Sequence, residues 1–288
     1  MTIATIIVNY NAGDTLVRCV DAVLKSTQHS KVYVVDNAST DGSAQALRNM
    51  YGDRQGVEFL FNPRNIGFAS AVNALSRRLD TDRLLVLNPD CILEQTALER
   101  LGAALDNDPR AALAGPAVVD GRGRIQRATV RRFPDPWKSL MTATGLARLG
   151  RICKGLRGVE VKVPKDRLEP FIVDAVSGAC MLIRREAFTR VGYLDEGYAM
   201  HCEDLDLMYR LQQDGWHCLY VPGAVCTHLQ GLSSRSRPGW VHLQKHRGML
   251  RFFNKFQARG TAWPMRLLVR AGIWLRYALL WPLVMMRR

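Results

Sequence analysis

Thr5-Ile6-Ile7-Val8-Asn9-Tyr10-Asn11 is an apolar run that ends abruptly in asparagine, and two later stretches repeat the pattern. Residues 32–35 lead into Asp36 in the same way, and residues 84–87 lead into Asn88-Pro89-Asp90. Short apolar runs bounded by polar turn residues are typical of buried strands. Between the first two runs, residues 15–24 repeat apolar residues at helical spacing. The chain therefore opens with a βαβ unit, which predicts an α/β fold with a parallel sheet.

Polar side chains stand at the ends of three of these predicted strands. Asn9 and Asp36 come directly after apolar runs, and Asp90 comes three residues after the end of another. Ligands of open α/β sheets bind outside the carboxyl ends of the strands, so these side chains mark a ligand-binding edge. Neither a GxGxxG after the first strand nor a GxxxxGK[ST] is present. A Rossmann dinucleotide and a P-loop triphosphate are therefore not the expected ligands.

The positive charge of the chain is concentrated at its C-terminal end. A composition of 48% hydrophobic and 23% charged residues is ordinary for a globular protein, but the net charge is +14. The last acidic residue is Asp214, and residues 215–288 hold twelve Lys or Arg. Such asymmetry indicates an anionic neighbour, either a membrane surface or a nucleic acid.

The last thirty residues favour the membrane. Aromatic, aliphatic and Arg residues alternate from Trp263 onward. Only about ten consecutive residues lack a charge, which is short of the ~20 that span a bilayer. We therefore predict a basic amphipathic helix at the interface, with a helix packed on the domain as the alternative. Residues 1–8 lack the basic start of a signal peptide, which predicts a location at the cytoplasmic face of the membrane.

Seven cysteines without a CxxC pair indicate buried, reduced thiols rather than a disulfide framework. A zinc site is a less favoured alternative because the spacing matches no known zinc motif. Its candidate ligands are His201, Cys202, His217, Cys218, Cys226 and His228.

Two further features each leave two interpretations open. The acidic run Glu203-Asp204-Leu205-Asp206 precedes a helical apolar pattern, so it either supplies a general base or stabilises the first turn of a helix. Residues 120–170 are irregular and rich in arginine, which is typical of a solvated loop or of an acceptor-binding flap. The arginines near its start are Arg122, Arg124, Arg127, Arg131 and Arg132.

Eight ordered motifs identify a family resemblance over roughly residues 3–255. They are IIVNYN at 6–11, VVDNASTDGS at 34–43, NIGFASAVN at 65–73, LNPD at 87–90, VSGACMLIRREAF at 176–188, GYLDE at 192–196, EDLDL at 203–207 and His228. In this order they resemble the family-two inverting glycosyltransferases of the GT-A fold, especially the bacterial rhamnosyltransferase branch. The resemblance implies a mixed, mostly parallel sheet flanked by helices, followed by a basic helical tail.

The resemblance also implies a division of the chain. Residues 1–228 would form the catalytic domain, with a donor half to about 115 and an acceptor half from about 116. Residues 229–288 would form the helical C-terminal region. The positions that match the donor-binding residues of the family are Asn9, Asn11, Asp36, Asn65, Gly67 and Asn88. Asp41 is interpreted as a helix cap rather than a ligand, and a cap fits Asn65 almost as well.

The metal and catalytic positions follow from the same resemblance. Asp90 matches the carboxylate that holds Mg²⁺ or Mn²⁺ on the donor diphosphate, and His228 completes the site. Asn88 replaces an aspartate of the usual metal motif by a neutral amide. Asp204 matches the catalytic base. Glu203 and Asp206 would be supporting residues that orient the acceptor or hold the helix. Ser177 and Gly178 match a turn that lines the acceptor pocket.

The resulting hypothesis is an inverting, metal-dependent transferase in cell-surface polysaccharide assembly. Its expected partners are a nucleoside diphosphate sugar, with deoxythymidine diphosphate rhamnose favoured, a lipid-linked saccharide acceptor and an anionic membrane surface. Galactofuranose, glucose and N-acetylglucosamine donors stay open. One alternative is a non-catalytic scaffold with the same fold. A less favoured alternative is a basic nucleic-acid-binding protein. The leading hypothesis expects no nucleic-acid partner.

Overall fold

The structure is a computed structural model that describes residues 1–52, 56–151, 153–163, 167–229 and 237–286. The strands in these ranges are β1 (Ile3–Asn9), β2 (Lys31–Asp36), β3 (Val57–Phe61), β4 (Arg83–Leu87), β5 (Cys91–Leu93), β6 (Ala111–Val119), β7 (Val130–Arg131), β8 (Phe171–Val173), β9 (Ala175–Val176), β10 (Cys180–Arg184) and β11 (His217–His228). The helices are α1 (Thr15–Leu24), α2 (Ser43–Tyr51), α3 (Phe68–Ser76), α4 (Ala97–Asn107), α5 (Pro136–Thr144), α6 (Arg185–Arg190), α7 (Glu203–Gln213), α8 (Pro238–Phe252) and α9 (Trp263–Met285). Short 3₁₀ turns cover Leu146–Arg151, Lys154–Leu156 and Ala258–Gly260, and a π turn covers Phe253–Gln257.

The central sheet is mixed and contains nine strands in the described part of the chain. Its strand order is β3-β2-β1-β4-β10-β6-β11-β5, with β8 added beside β11. The first four strands in this order run parallel, as the βαβ opening predicts. Strand β10 is antiparallel to both of its neighbours, β4 and β6, so the sheet is mixed. Strands β7 and β9 form a separate two-stranded ribbon.

Helices cover both faces of the sheet because successive residues of a strand point to opposite sides. Ile6 belongs to the core on the side of α3, α6 and α7, and Ile7 belongs to the core on the side of α1, α2 and α4. Both side chains are fully buried. Each such aliphatic side chain contributes about 1.5–3 kcal/mol through burial. The long apolar runs of the central strands are therefore explained by two buried faces.

Helix α3 begins later than the sequence pattern predicts. The pattern starts it near Asn65, whereas the first helical residue is Phe68. Gly67 adopts φ +89° and ψ 159°, a conformation that is essentially restricted to glycine. The Asn65 side-chain oxygen accepts a hydrogen bond from the Gly67 N–H at 2.9 Å. Asn65 therefore shapes the turn before the helix.

The start of the C-terminal region packs on the acceptor half. Tyr209 of α7 contacts Phe252 and Phe256, with ring centroids 5.5 and 4.5 Å apart. Lys255 bridges the carboxylates of Asp195 and Asp206 at 2.6 and 2.7 Å. The division of the chain at residue 228 stays a prediction, and α8 is physically attached to the domain before it.

The C-terminal helix α9 is exposed and longer than its charge-free segment. None of its residues is buried. It is long and apolar enough to cross a membrane by length and composition, with a mean hydropathy of 1.4 over an 18-residue window. Its 23 residues extend about 34 Å at 1.5 Å per residue. The helix continues through Arg266, Arg270 and Arg276 because arginine is a good helix former.

Candidate active site at the carboxyl edge of the sheet

Asn9 and Asp36 lie opposite each other at the ends of β1 and β2. The Asn9 side-chain N–H₂ donates to Asp36 Oδ1 at 2.8 Å and to Ser43 Oγ at 2.9 Å. Asp36 also accepts a bond from the Ser39 N–H at 3.0 Å. Asn9 is fully buried, so in this arrangement it orients Asp36 from below the surface. Direct contact of either residue with a donor stays a prediction.

The loops after β1 and β2 are tied together by side chains. Asn11 accepts a bond from the Thr40 N–H at 2.7 Å. Asp41 accepts bonds from the Gly13 N–H at 2.8 Å and from the Ser43 N–H at 3.0 Å. Asp41 thus joins the first residue of α2 to the neighbouring loop, whereas the N-cap of α2 is Gly42 and not Asp41.

The turn before α3 lies at the same edge. Asn37 donates to the Gly67 carbonyl at 3.3 Å, which brings the predicted donor positions 65 and 67 beside those on β1 and β2. Further along α3, the buried Asn73 donates to the Leu194 carbonyl at 2.9 Å and to Glu196 at 2.8 Å. The motif at 65–73 therefore attaches the donor half to the GYLDE motif of the acceptor half.

Asp90 and His228 come together because β5 pairs with the end of β11. His228 Nε2 lies 3.2 Å from Asp90 Oδ1. His228 Nδ1 is buried without a hydrogen-bond partner among the described residues. The carboxylate oxygen suits a hard cation such as Mg²⁺ or Mn²⁺, and the imidazole nitrogen favours Mn²⁺ of the two, so these two residues fit a divalent cation.

Cys91 is a third neighbour of this pair. Ligand atoms of Asp90, Cys91 and His228 all lie within 4.8 Å of one another. Cys91 is fully buried, and its thiol donates to the Ala179 carbonyl at 3.4 Å. Asn88 holds the same turn through its backbone, since its N–H donates to the Ala179 carbonyl at 2.9 Å. A metal contact from the Asn88 amide stays a prediction.

The alternative zinc site is not assembled in the described ranges. Among them, the grouping of three or more metal-ligating side chains is Asp90, Cys91 and His228. Of the six residues proposed for zinc, His217 instead pairs with Asp108, with Nε2 and Oδ2 2.7 Å apart. Cys218 and Cys226 are buried in β11. All seven cysteines are free.

Asp204 lies in the first turn of α7, where its carboxylate is held from three directions. It accepts hydrogen bonds from the Gly178 N–H at 3.1 Å and the Leu205 N–H at 2.8 Å, and it forms an ion pair with Arg131. Burial acts to raise the pKa of Asp204, but the Arg131 guanidinium outweighs burial and lowers that pKa below its usual value. The carboxylate is therefore ionised at neutral pH and able to accept a proton.

The successive residues Gly178 and Ala179 connect Asp204 to the Asn88-Pro89-Asp90 motif. The Gly178 N–H donates to Asp204, and the next carbonyl, that of Ala179, accepts from the Asn88 N–H. Gly178 has no room for a side chain, because an added Cβ would lie 2.8 Å from both Cβ and Oδ2 of Asp204. Ser177 shapes the same turn by accepting a bond from the Ala179 N–H at 3.3 Å.

Gly178→Ala is expected to displace the Asp204 carboxylate and to lower the turnover number about 10²-fold, the usual cost of a 1 Å misplacement of a reacting group. Gly121→Ala is the matched control, because its added Cβ would make an ordinary 3.8 Å contact with Leu229. Initial rates of the transfer reaction that the family resemblance implies, and thermal unfolding curves, measure the two effects. A Gly178→Ala enzyme with the wild-type rate would contradict the steric role of this glycine.

Glu203 and Asp206 flank Asp204 in contrasting surroundings. Burial, followed by the charge of Asp204, raises the pKa of Glu203 to about 8. Glu203 Oε2 is buried without a hydrogen-bond partner among the described residues. Asp206 is fully buried and accepts bonds from Tyr198, Arg210 and Lys255. Asp206 therefore anchors α7 to its neighbours.

The raised pKa of Glu203 makes the fold more stable when this group is protonated. Its contribution is fully present below the unfolded-state pKa of about 4.5 and is lost as the pH rises through about 8. Glu203→Gln mimics the protonated acid, so we expect the variant to unfold at a higher temperature than the wild type at pH 9, and by a smaller margin at pH 6. Thermal unfolding at both values measures the difference. An equal margin at the two pH values would contradict the raised pKa.

The sequence did not single out Arg131 from the other arginines of the irregular segment. Its partner Asp204 is 73 residues away, and no local pattern announces the contact. Arg131 also donates to the Val176 carbonyl at 2.6 Å, which holds it beside the Gly178 turn. Immediately before α7, His201 and Cys202 adopt φ values of +65° and +73°. Such left-handed non-glycine residues are strained and concentrate at functional sites.

The chain resembles known glycosyltransferases in both sequence and structure. The profile of the family described as Glycosyl transferase family 2 matches residues 4–192. An N-acetylglucosaminyl-diphospho-decaprenol L-rhamnosyltransferase of Mycobacterium tuberculosis is 32% identical over 93% of this chain and 89% of the relative. Rhamnosyltransferase WbbL of Escherichia coli is 26% identical over 80% of this chain and 84% of the relative. The crystal structure of GalNAc-T7 with UDP, GalNAc and Mn²⁺ superposes with a TM-score of 0.65 at 21% identity, over 88% of this chain and 48% of that one. The GT-A fold predicted from the motifs is confirmed.

Proposed function

Because the chain belongs to glycosyltransferase family 2, we propose that it transfers rhamnose from deoxythymidine diphosphate rhamnose to a hydroxyl of a saccharide carried on a lipid diphosphate. The observation that carries the proposal is the Gly178-Ala179 turn, which connects the ionised Asp204 to the Asn88-Pro89-Asp90 motif. The names of the two rhamnosyltransferase relatives support the choice of sugar. The mycobacterial relative supports the choice of acceptor.

The proposed reaction inverts the anomeric carbon. The acceptor oxygen forms a bond to that carbon, and the bond from the carbon to the donor diphosphate breaks with its electron pair leaving on the diphosphate. Asp204 takes the proton of the acceptor hydroxyl. Asp90 and His228 would hold a divalent cation, which when bound neutralises the charge that develops on the leaving diphosphate. Arg131 orients Asp204 and keeps it ionised in the resting enzyme.

This proposal is favoured over the two alternatives. The nucleic-acid-binding alternative rests on the basic charge and on the aromatic residues of the C-terminal tail, whereas the family profile matches residues 4–192. A non-catalytic scaffold would not require an ionised Asp204 beside a glycine that leaves it room. The combination of the base Asp204, the Gly178-Ala179 turn and the possible cation ligands Asp90 and His228 supports an active enzyme.

The test is transfer by the purified full chain. Deoxythymidine diphosphate rhamnose and the UDP-linked glucose, N-acetylglucosamine and galactofuranose donors are each offered with an N-acetylglucosaminyl diphospholipid acceptor and Mn²⁺. We expect a rhamnosylated product detected by mass spectrometry, with an anomeric configuration opposite to that of the donor by NMR. Product from another donor would correct the sugar, a retained configuration would overturn the mechanism, and failure with every donor would favour the scaffold.

Membrane association is the second part of the proposal. Leu268, Leu275 and Leu279 project from α9 at helical spacing and are between 60% and 67% exposed. An apolar stripe beside arginines suits a helix that lies in the membrane interface, where the enzyme meets a lipid-linked substrate at the cytoplasmic face.

Replacing these three leucines by serine is expected to weaken binding to anionic vesicles by about 10²-fold or more, since each buried leucine contributes about 1.5–3 kcal/mol. The matched control is a triple variant with serine at three exposed apolar positions of the proposed catalytic domain, Met50, Leu168 and Ile172. Vesicle flotation measures both variants. Equal flotation of the leucine variant and the wild type would contradict an α9 anchor.

A further inference from the structure

A cavity of about 220 Å³ lies between α8 and α9. Its polar lining includes Lys245 of α8 and Arg276 of α9, and its apolar lining is Leu280, Leu283 and Val284. The apolar residues follow Arg276 by four, seven and eight positions, so they lie on the same face of α9. The cavity therefore places two cations beside an apolar surface that runs toward the end of the chain.

Lys245 and Arg276 form no ion pair with a carboxylate in the described part of the chain, whereas Arg251 and Lys255 of the same C-terminal region both pair with Asp195. The Glu160 carboxylate acts on Lys245 electrostatically but forms no ion pair with it. Arg276 Nη1 instead lies 3.2 Å from His246 Nε2. Since His246 Nδ1 lies 2.8 Å from the His242 carbonyl and donates to it, Nε2 is left as the acceptor for Arg276.

His246 is a neutral support for Arg276. Burial, which outweighs its bond to the His242 carbonyl, lowers the pKa of His246 to about 4. The surrounding protein and the charge of Arg276 lower the pKa of Lys245, which is solvent-accessible. Two cations that line one cavity without an ion-paired carboxylate make a site that a multiply charged anion would stabilise.

The cavity adjoins the acceptor side of the active site. Lys245 precedes Gly248 by three residues, which is about 4.5 Å along the helix. Gly248 packs on the segment that leads into α7, because an added Cβ would lie 3.0 Å from the His201 carbonyl oxygen and 3.2 Å from Cys202 Sγ. Asp204 follows two residues after Cys202. A ligand in the cavity is thus close to the loop that positions the proposed base.

We propose that Lys245 and Arg276 bind the diphosphate of the lipid-linked acceptor, and that Leu280, Leu283 and Val284 contact the start of its hydrocarbon chain. This inference rests on the proposed function for the identity of the ligand. A diphosphate offers several oxygens to the guanidinium fork and the ammonium group. The acceptor matches the cavity better than a bulk phospholipid does, because the cations lie beside the catalytic segment while the exposed leucine stripe of α9 is available to the bilayer.

The first experiment measures binding without any transfer reaction. Farnesyl diphosphate is titrated into the full-length protein by calorimetry, with farnesol as the phosphate-free probe. A chelator is present to remove the cation through which a diphosphate would bind at Asp90 and His228. We expect Lys245→Gln/Arg276→Gln to weaken farnesyl diphosphate binding about 10- to 100-fold, the loss typical of charged hydrogen bonds. Arg247→Gln/Arg270→Gln removes the same charge from the same two helices outside the cavity and is expected to bind like the wild type.

Equal weakening of binding in both double variants would assign the effect to overall charge and overturn the proposed site. Unchanged binding in Lys245→Gln/Arg276→Gln, the cavity variant, would also overturn it. Lys245→Gln alone is the second variant if the double one unfolds, because Lys245 is exposed and makes no hydrogen bond within the described residues.

The second experiment compares two acceptors that carry the same sugar. The cavity variant is expected to raise KM for the saccharide diphospholipid about 10-fold or more and to leave kcat/KM for a neutral alkyl glycoside unchanged. Equal loss on both acceptors would overturn the inference while leaving the proposed function intact. No transfer by the wild type to either acceptor would instead contradict the proposed function, whatever the binding result. Lost binding to anionic phospholipid vesicles with unchanged use of the diphospholipid would reassign the cavity to bulk lipid and overturn the inference.

Discussion

Replacing Asp204 by asparagine is expected to lower the turnover number of sugar transfer by about 10²- to 10⁴-fold, the usual contribution of a general base. Asparagine retains the shape of the side chain and can still accept a bond from the Gly178 N–H, but it cannot take a proton at neutral pH. Donor binding is expected to stay close to that of the wild type, because the proposed role of Asp204 is toward the acceptor hydroxyl and not toward the donor. Single-turnover rates and nucleotide-sugar titrations measure the two quantities separately.

Glu203→Gln is the matched control for this experiment. Glu203 adjoins Asp204 in the sequence, and its pKa near 8 means that it is mainly protonated at pH 7. Its amide variant should therefore transfer sugar at nearly the wild-type rate at that pH. If Glu203→Gln is inactive and Asp204→Asn is active, Glu203 is the base. If Asp204→Asn loses donor affinity and rate together, Asp204 belongs to the metal site or to the fold.

Asp204→Asn also breaks a largely buried ion pair, which makes stability a second readout. The side chains of Arg131 and Asp204 are 16% and 13% exposed. Removing one partner of a buried pair costs about 3–5 kcal/mol, because the other charge is left uncompensated. Arg131→Met combined with Asp204→Asn should recover much of this stability without recovering transfer. Recovered transfer in the double variant would show that the single variant failed through instability.

The second large effect is expected at Asp90 and His228, the proposed ligands of a divalent cation. Asp90→Asn and His228→Gln should each weaken Mn²⁺-dependent binding of the nucleotide sugar by about 10- to 100-fold or more, since even outer residues of metal sites contribute that much. The physical reason is the 3.2 Å approach of His228 Nε2 to Asp90 Oδ1, which lets one cation contact both groups. Titrations of the donor with Mn²⁺, with Mg²⁺ and with chelator measure the response.

Cys91→Ser is the matched control for the Asp90 and His228 variants. Cys91 lies in the same cluster, but its thiol is occupied by the Ala179 carbonyl. The serine variant should keep the metal response of the wild type. A lost response in Cys91→Ser would show that the thiol is a ligand, and an unchanged response in Asp90→Asn would remove Asp90 from the site.

The strand ends show how far sequence reasoning reaches. Asn9 and Asp36 were assigned to one edge because each follows a buried apolar run, and the two residues do lie opposite each other in register. Whether such a side chain faces solvent depends on its neighbours, however. Asn9 is covered by the Ser39 and Ser43 hydroxyls, which only the folded loop brings to it.

The sequence by itself determined the α/β class, the parallel opening of the sheet, the family and the placement of Asp36 and Asp90 after parallel strands at one edge of the sheet. These features are encoded in local periodicity, in strand-ending polar residues and in ordered motifs. Only the tertiary structure decided the pairing of Arg131 with Asp204, the lack of space at Gly178 and the cavity between Lys245 and Arg276. Each of these joins residues that are 26 or more positions apart, and such contacts arise from the packing of whole elements, which no local spacing specifies.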